Sequence, residues 1–139
     1  MAEETPATVE QLVSDGSDVW NGDFSKLDLF SESFRYVSPA TPDGVAGRDE
    51  FGAFVRGFRE GFPDLHVTID EVIGGDELVV AEWTANGTHE GEYNDVPPTG
   101  REIEFRGIVK LQIEDGVFQE GRNYYDQHDM FVQLGFVDE

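Results

Sequence analysis

The feature that most constrains the fold of this chain is a change in the spacing of its apolar residues at Pro63. Before Pro63 the apolar side chains recur with the period of a helix face, and after it they alternate with polar residues as in a strand. Helices followed by a series of strands favour an α+β fold in which the helices cover one face of a sheet. We therefore expect a curved antiparallel sheet wrapped around N-terminal helices, with a concave space for a small ligand.

Two helices are predicted, over residues 8–20 and 48–62. Each places its apolar residues on one face, and the second carries a stripe of phenylalanines. Pro63 ends the second helix, because proline disfavours helical geometry at the residue before it. Most of the stripe is expected to be core, with some rings lining the ligand space. The aromatic residues predicted to contact a ligand are Phe54, Phe58, Trp20 and Trp83.

The rest of the chain predicts strands joined by short turns. The predicted strands are residues 34–37, 65–69, 78–83, 103–113 and 117–126, with a proline- and glycine-rich loop over 38–47 and a terminal helical turn over 130–134 ending at Gly135. Side chains alternate sides along a strand, so counting from Phe118 puts one set of side chains on the same face. That set is Phe118, Glu120, Arg122, Tyr124 and Asp126.

The charge of the chain limits its partners. Thirty acidic residues oppose nine basic ones, which gives a net charge of -21 and a pI near 4.1. Such self-repulsion destabilises a compact state in dilute buffer, and it is screened at about 1 M salt, where the Debye length is ~3 Å. The composition resembles that of halophilic cytoplasmic proteins; the alternative is an acidic domain that docks a basic partner. Nucleic acid is excluded as a partner, because binding phosphates requires a basic surface.

The remaining composition predicts one cytoplasmic domain spanning residues 1–139. No apolar run is long enough to cross a bilayer, and the N-terminus lacks the features of a signal peptide. The chain has no cysteine, which excludes disulfides and thiolate chemistry. Its three histidines lie on separate predicted elements without metal-ligand spacing, so no metal site is expected.

Three local stretches, taken in order, resemble the SnoaL-like polyketide cyclases. They are Gly61-Phe-Pro-Asp-Leu65, then Gly87-Thr-His-Glu-Gly-Glu-Tyr93 leading to Pro97-Pro-Thr-Gly-Arg101, and finally Tyr125-Asp126 before Gln133-Leu-Gly135. These cyclases are a branch of the NTF2-like superfamily of cone-shaped α+β domains. The resemblance implies a small-molecule substrate, a homodimer formed through the outer sheet face, and no cofactor. The implied reaction is a cyclisation by intramolecular aldol condensation, or an isomerisation.

The resemblance also implies a catalytic residue, because Asp126 matches the family's aspartate acid/base on the last strand. In an apolar cavity its pKa would rise, which suits proton transfer next to a carbonyl. From the residues alone, Asp126 could instead be a surface acid that caps the turn at Gln127. The resulting alternatives to a cyclase or isomerase are a non-catalytic small-molecule-binding or accessory domain, and a hydrolase in which Asp126 activates water.

Three further residues are candidates for the site. His89 could donate to a developing oxyanion, or with Thr88 it could simply tie down the loop that holds Pro97. Arg122 could bind an anionic substrate beside Asp126, or it could pair with a glutamate on a solvated face. Tyr124 is predicted to lie on the same strand face as Asp126 and to desolvate it.

Overall fold

The structure, a computed structural model, describes residues 7–138. The elements in chain order are α1 (Ala7–Ser17), a 3-10 helix (Phe24–Leu29), β1 (Phe30–Ser38), β2 (Thr41–Ala46), α2 (Arg48–Gly61), β3 (His66–Gly74), β4 (Leu78–Thr88), β5 (Glu102–Glu114), β6 (Val117–Tyr125) and α3 (Gln127–Leu134). The prediction of helices followed by strands is confirmed. Among the described residues, no helix has the length and apolar character that a membrane span requires.

The six strands form one curved sheet in the order β2-β1-β6-β5-β4-β3. All neighbouring strands pair antiparallel except β1 and β6, which are parallel. The α+β cone is therefore as predicted, but its sheet is mixed. The predicted loop over residues 38–47 is wrong in part: Thr41–Ala46 forms the edge strand β2, where Pro42 is tolerated because an edge strand leaves part of its backbone unpaired.

The concave face of the sheet is covered by α1 and α2. Phe51, Val55 and Phe58 lie on one face of α2 and are all buried, as their spacing predicts. The two core clusters meet inside the cone, and Trp20 and Ile69 pack against both of them.

A β-bulge in β6 decides which side chains of that strand face the inside. Gln112 of β5 pairs with Glu120 while Ile113 pairs with Phe118, so Gln119 is an extra residue with no partner on β5. Phe118 and Gly121 are both buried, although they are three positions apart. The predicted face is therefore wrong beyond Phe118, because one added residue moves every later side chain to the opposite face.

The helix α3 packs against β5. Its first turn is capped by Asp126, whose Oδ1 accepts a hydrogen bond from the Asp129 N–H at 2.9 Å. It ends at Gly135, which adopts the left-handed conformation (φ 78°) that glycine favours, as the predicted ending requires. The side-chain amide of Gln133 hydrogen-bonds to the N–H and the carbonyl of Glu104, at 2.8 and 2.9 Å. These bonds hold α3 against the start of β5.

Candidate functional site

A cavity lies inside the cone, between the helices and the concave face of the sheet. Its volume is about 90 Å³, within a space of about 840 Å³ that includes open solvent. The wall comprises Val13, Gly16, Ser17, Trp20, Phe30, Phe34, Tyr36, Phe51, Phe54, Phe58, Leu65, Val67, Ile69, Trp83, Ala85, Phe105, Val109, Leu111, Phe118, Asn123 and Tyr125. The cavity is smaller than the ~150 Å³ cavity that accepts benzene, so a multi-ring compound would have to extend through its opening.

The four aromatic residues predicted to contact a ligand, Trp20, Phe54, Phe58 and Trp83, all line this cavity. The Trp20 ring makes edge contacts to Phe54 and Phe58 at centroid distances of 6.1 and 6.2 Å. Its backbone is fixed by Arg59, whose guanidinium donates to the Trp20 carbonyl at 2.8 Å. The aromatic wall is therefore held in place by hydrogen bonds outside the cavity.

The polar groups of the wall form a short hydrogen-bonded chain. Trp83 Nε1 donates to Asn123 Oδ1 at 2.8 Å, and Asn123 Nδ2 donates to Tyr36 Oη at 2.9 Å. Asn123 and Tyr125 face inward because of the bulge at Gln119. No carboxylate, imidazole, ammonium or guanidinium group belongs to the part of the wall that the structure describes. The cavity is thus apolar and uncharged, with a few neutral polar groups.

Burial keeps the phenols of the wall protonated. Desolvation raises the pKa of Tyr36 well above its ordinary value, and the hydrogen bond from Asn123 only partly offsets this. Burial also raises the pKa of Tyr125. The Ser38 hydroxyl acts in the opposite direction on both phenols. Neutral tyrosine is a good hydrogen-bond donor, so these groups can polarise an oxygen atom without becoming charged.

Asp126 does not line the cavity, so its predicted position is wrong. Its side chain is exposed and hydrogen-bonded to the Asp129 N–H, which is the capping role that the residues alone left open. The physical reason is the bulge at Gln119, which turns Asn123 and Tyr125 inward. Its role as acid/base stays a prediction.

Arg122 and Tyr124 also lie on the outer face, contrary to the predicted position. Arg122 Nε donates to Glu120 Oε1 at 2.8 Å, the surface pairing that was the alternative to anion binding. That hydrogen bond and the charge of Glu120 raise the pKa of Arg122. Tyr124 is 56 % exposed and lies opposite Ile108 of β5. Neither residue contacts the space where a ligand would bind.

His89 is fully buried but lies away from the cavity wall. Thr99 N–H donates to its Nδ1 at 3.2 Å, and the Thr99 hydroxyl lies 3.0 Å from the same nitrogen. Its ring packs between Phe62 and Phe136. This is the loop-holding arrangement that was the alternative to oxyanion binding. The His89 Nε2 is buried and has no hydrogen-bond partner among residues 7–138.

The polar residues of the site, Tyr36, Asn123 and Tyr125, were not predicted. The charges of Glu120 and Arg122 could have identified Asn123 and Tyr125. Charged side chains belong in water, so the residues that alternate with Glu120 and Arg122 along the strand should face inward. Gly107 is a further part of the site, because a side chain there would overlap the Trp83 ring that crosses over it. Small residues opposite a tryptophan are not recognisable before the strand register is known.

The comparisons with known proteins agree with this architecture. The profile of the family described as SnoaL-like polyketide cyclase matches residues 9–134. TsrD from Streptomyces laurentii is 27% identical and superposes with a TM-score of 0.83, over 97% of this chain and 100% of that one. Wild-type IdmH from Streptomyces antibioticus is 25% identical, with a TM-score of 0.77 over 91% of this chain and 97% of that one. AclR from Streptomyces galilaeus is 23% identical, with a TM-score of 0.80 over 94% of this chain and 82% of that one.

No curated protein matches the chain significantly. The residues matched by the family profile include most of α1, all of α2 and all six strands. They therefore include the residues of α1, α2, β5 and β6 that line the cavity. The chain therefore belongs to the SnoaL-like polyketide cyclase family.

Proposed function

We propose that this protein binds a small uncharged organic compound in the cavity and catalyses its cyclisation or isomerisation by removing a proton next to a carbonyl. The observation that carries the proposal is an apolar cavity whose polar groups, at Tyr36, Asn123 and Trp83, are neutral and linked by hydrogen bonds. Such a wall favours an uncharged ligand, because a buried charge without a partner is strongly unfavourable. Membership of the SnoaL-like family supports this class of reaction.

The base of this reaction has two candidate sources. Asp126 follows Tyr125 of the cavity wall directly in the chain, but its carboxylate is exposed and caps α3. Releasing it from the cap would cost about 1 kcal/mol, a small amount compared with the contribution of a general base. Water at the cavity mouth is the other source, and it suffices only for substrates that are already acidic.

A second function, binding without turnover, is favoured by one observation. The described cavity wall has no ionisable group that could accept a proton at neutral pH. A protein of this kind would sequester or present a small molecule without changing it. The two functions differ in one measurable property, the exchange of hydrogen for deuterium beside a carbonyl.

The test uses cyclopentanone as a simple carbon acid in D2O, with exchange of its α-hydrogens followed by proton NMR. We expect the wild-type protein to accelerate the exchange above the rate in buffer. Val109→Phe, which places a ring in the cavity, is expected to remove the acceleration while circular dichroism shows a folded protein. Binding without acceleration would favour the second function, and no binding would contradict both.

Asp126→Asn identifies the base in the same assay. Asparagine caps helices about as well as aspartate, so the fold and α3 are expected to persist. A loss of about 10²-fold or more would assign Asp126 as the base, because that is the usual contribution of such a group. An unchanged rate would exclude Asp126 as the base.

We also propose that the protein is a homodimer joined through the outer face of the sheet. Ile108 and Tyr124 lie opposite each other on β5 and β6, and they are 45% and 56% exposed. Glu82 lies opposite Ile108 on β4, and Lys110 lies nearby on β5, so this face carries both charge signs and can pair with itself. Ile108→Asp is expected to give a monomer in analytical ultracentrifugation, while Val137→Asp, exposed beyond α3, is expected to leave the dimer intact. A wild-type monomer at high protein concentration would contradict this proposal.

A further inference from the structure

The hydrogen bonds of the cavity wall run in one direction, which is set by Trp83. An indole N–H can only donate, so the atom of Asn123 that lies 2.8 Å from Trp83 Nε1 must be the amide oxygen. The amide nitrogen of Asn123 therefore faces Tyr36 and donates to its Oη at 2.9 Å. The orientation of the Asn123 amide therefore follows from the chemistry of Trp83.

Tyr36 consequently accepts a hydrogen bond through its oxygen and retains its own proton. Among the described residues, Tyr36 Oη makes one hydrogen bond of regular geometry, the one it accepts from Asn123, and the Ser38 hydroxyl lies 2.9 Å from the Thr41 hydroxyl. On the opposite wall, the Ser17 hydroxyl donates to the Ser14 carbonyl at 2.7 Å, so its proton is already used. The Tyr36 O–H remains available to a ligand in the cavity.

We propose that Tyr36 Oη is the group that binds the substrate, by donating to a neutral acceptor oxygen such as that of a ketone, aldehyde, ester or quinone. The hydrogen bonds from Trp83 to Asn123 and from Asn123 to Tyr36 make the cavity selective for hydrogen-bond acceptors, over hydrocarbons and over molecules that only donate hydrogen bonds. This inference rests on the proposed function, since it requires the cavity to be the binding site. It extends that function by naming the contact and the chemical class of substrate.

The same contact has a consequence for the reaction. When a proton leaves the carbon next to the bound carbonyl, the electron pair of that C–H bond moves onto the oxygen, and the proton goes to the base. The hydrogen bond from Tyr36 strengthens as the oxygen gains negative charge, which stabilises the enolate. Because burial raises the pKa of Tyr36, the phenol keeps its proton throughout and acts as a donor only.

The binding test uses three probes of similar size. Cyclopentanone presents an acceptor oxygen, methylenecyclopentane replaces that oxygen by CH2, and pyrrole only donates. Both tryptophans of the chain line the cavity, so their fluorescence reports directly on its occupation. The quantity measured is the ratio of the affinities for cyclopentanone and methylenecyclopentane, which removes effects of cavity shape common to both.

The test compares two variants with the same chemical change. Tyr36→Phe is expected to lower the affinity ratio about fivefold to tenfold, the loss expected for one hydrogen bond. Tyr124→Phe is the matched control: it removes the exposed phenol on the outer face of β6, which does not line the cavity, and the ratio is expected to stay unchanged. Pyrrole is expected to bind more weakly than cyclopentanone to the wild-type protein.

Infrared spectroscopy provides a second readout that a merely structural role of Tyr36 would not affect. The carbonyl stretch of bound cyclopentanone is expected at a lower frequency in the wild-type protein and in Tyr124→Phe than in Tyr36→Phe. Equal ratios and equal frequencies in the wild-type protein and Tyr36→Phe would overturn the inference while leaving the cavity as the binding site. Failure of all three probes to change the fluorescence would instead contradict the proposed function itself.

Discussion

The two faces of strands β5 and β6 divide the chemistry of this protein between them. The inner face carries Leu111, Asn123 and Tyr125, which line an uncharged cavity. The outer face carries Lys110 and Arg122, which lie opposite each other in the sheet. Because a charge is stable only where water or a partner can solvate it, the charged groups of these strands are outside, whereas Asn123 and Tyr125 on the inner face are neutral. A search for catalytic residues that starts from ionisable side chains therefore leads to the outer face.

Placing the same charge on each face is the strongest test of this comparison. Leu111→Asp puts a carboxylate among buried apolar groups and is expected to lower the free energy of unfolding by about 3–5 kcal/mol. Ile108→Asp, three residues earlier on the exposed face, is expected to cost the folded protomer less than about 1 kcal/mol. Urea denaturation measures both, and similar losses would contradict the division between the faces.

The acidic exterior predicts a strong effect of salt. Raising NaCl from about 0.1 M to 1 M shortens the Debye length from ~10 Å to ~3 Å and screens the repulsion within a chain of net charge -21. The melting temperature is expected to rise by on the order of 10 °C, which corresponds to a few kcal/mol for a domain of this size. Differential scanning fluorimetry in a chloride salt measures the shift, and a flat response would remove the argument for a halophilic protein.

The interior predicts a loss of stability in alkali. The pKa of Tyr36 is raised in the folded state, so its contribution is present below pH ~10 and is lost as the pH rises above that value toward the folded pKa. Burial also raises the pKa of Tyr93 and of Tyr125, so both act in the same direction. Tyr36→Phe is expected to lose about 1 kcal/mol at pH 7, because Asn123 loses its partner, but to decline less between pH 9 and 11. A parallel decline in both proteins would contradict this.

The smallest expected effect concerns the cap of α3. Asp126→Ala is expected to lower stability by about 1 kcal/mol, whereas Asp126→Asn is expected to change it by only a few tenths of a kcal/mol. The pair separates the structural role of this side chain from any chemical role. A large loss of stability in Asp126→Asn would mean that the carboxylate makes a stabilising contact beyond its hydrogen bond to Asp129.

Local sequence patterns predicted most of the fold. The stripe on α2, the alternation on β5 and the end of α3 at Gly135 are each determined by neighbouring residues, and each is confirmed. The strand β2 was missed, because its proline and glycine are typical of a loop and only pairing with β1 makes it a strand. Parallel pairing of β1 with β6 is likewise a property of distant residues.

The candidate site was predicted less well, for a related reason. The aromatic rings at Trp20 and Trp83 were predicted to contact a ligand, and they line the cavity. The polar residues were assigned to the wrong face because a strict period of two was carried through Gln119. A bulge is fixed by the pairing of two strands, so the spacing of residues in β6 alone does not reveal it.

The position of α1 links the cavity to the start of the chain. Val13, Gly16 and Ser17 supply part of the wall, so undocking this helix would open the cavity from the side. A ligand that binds only while α1 is docked therefore stabilises the docked helix by its own free energy of binding. Slower amide hydrogen exchange in α1 would then report on occupation of the cavity more directly than exchange in the sheet. Shortening the N-terminus would weaken ligand retention without changing the hydrogen bonds that link Trp83, Asn123 and Tyr36.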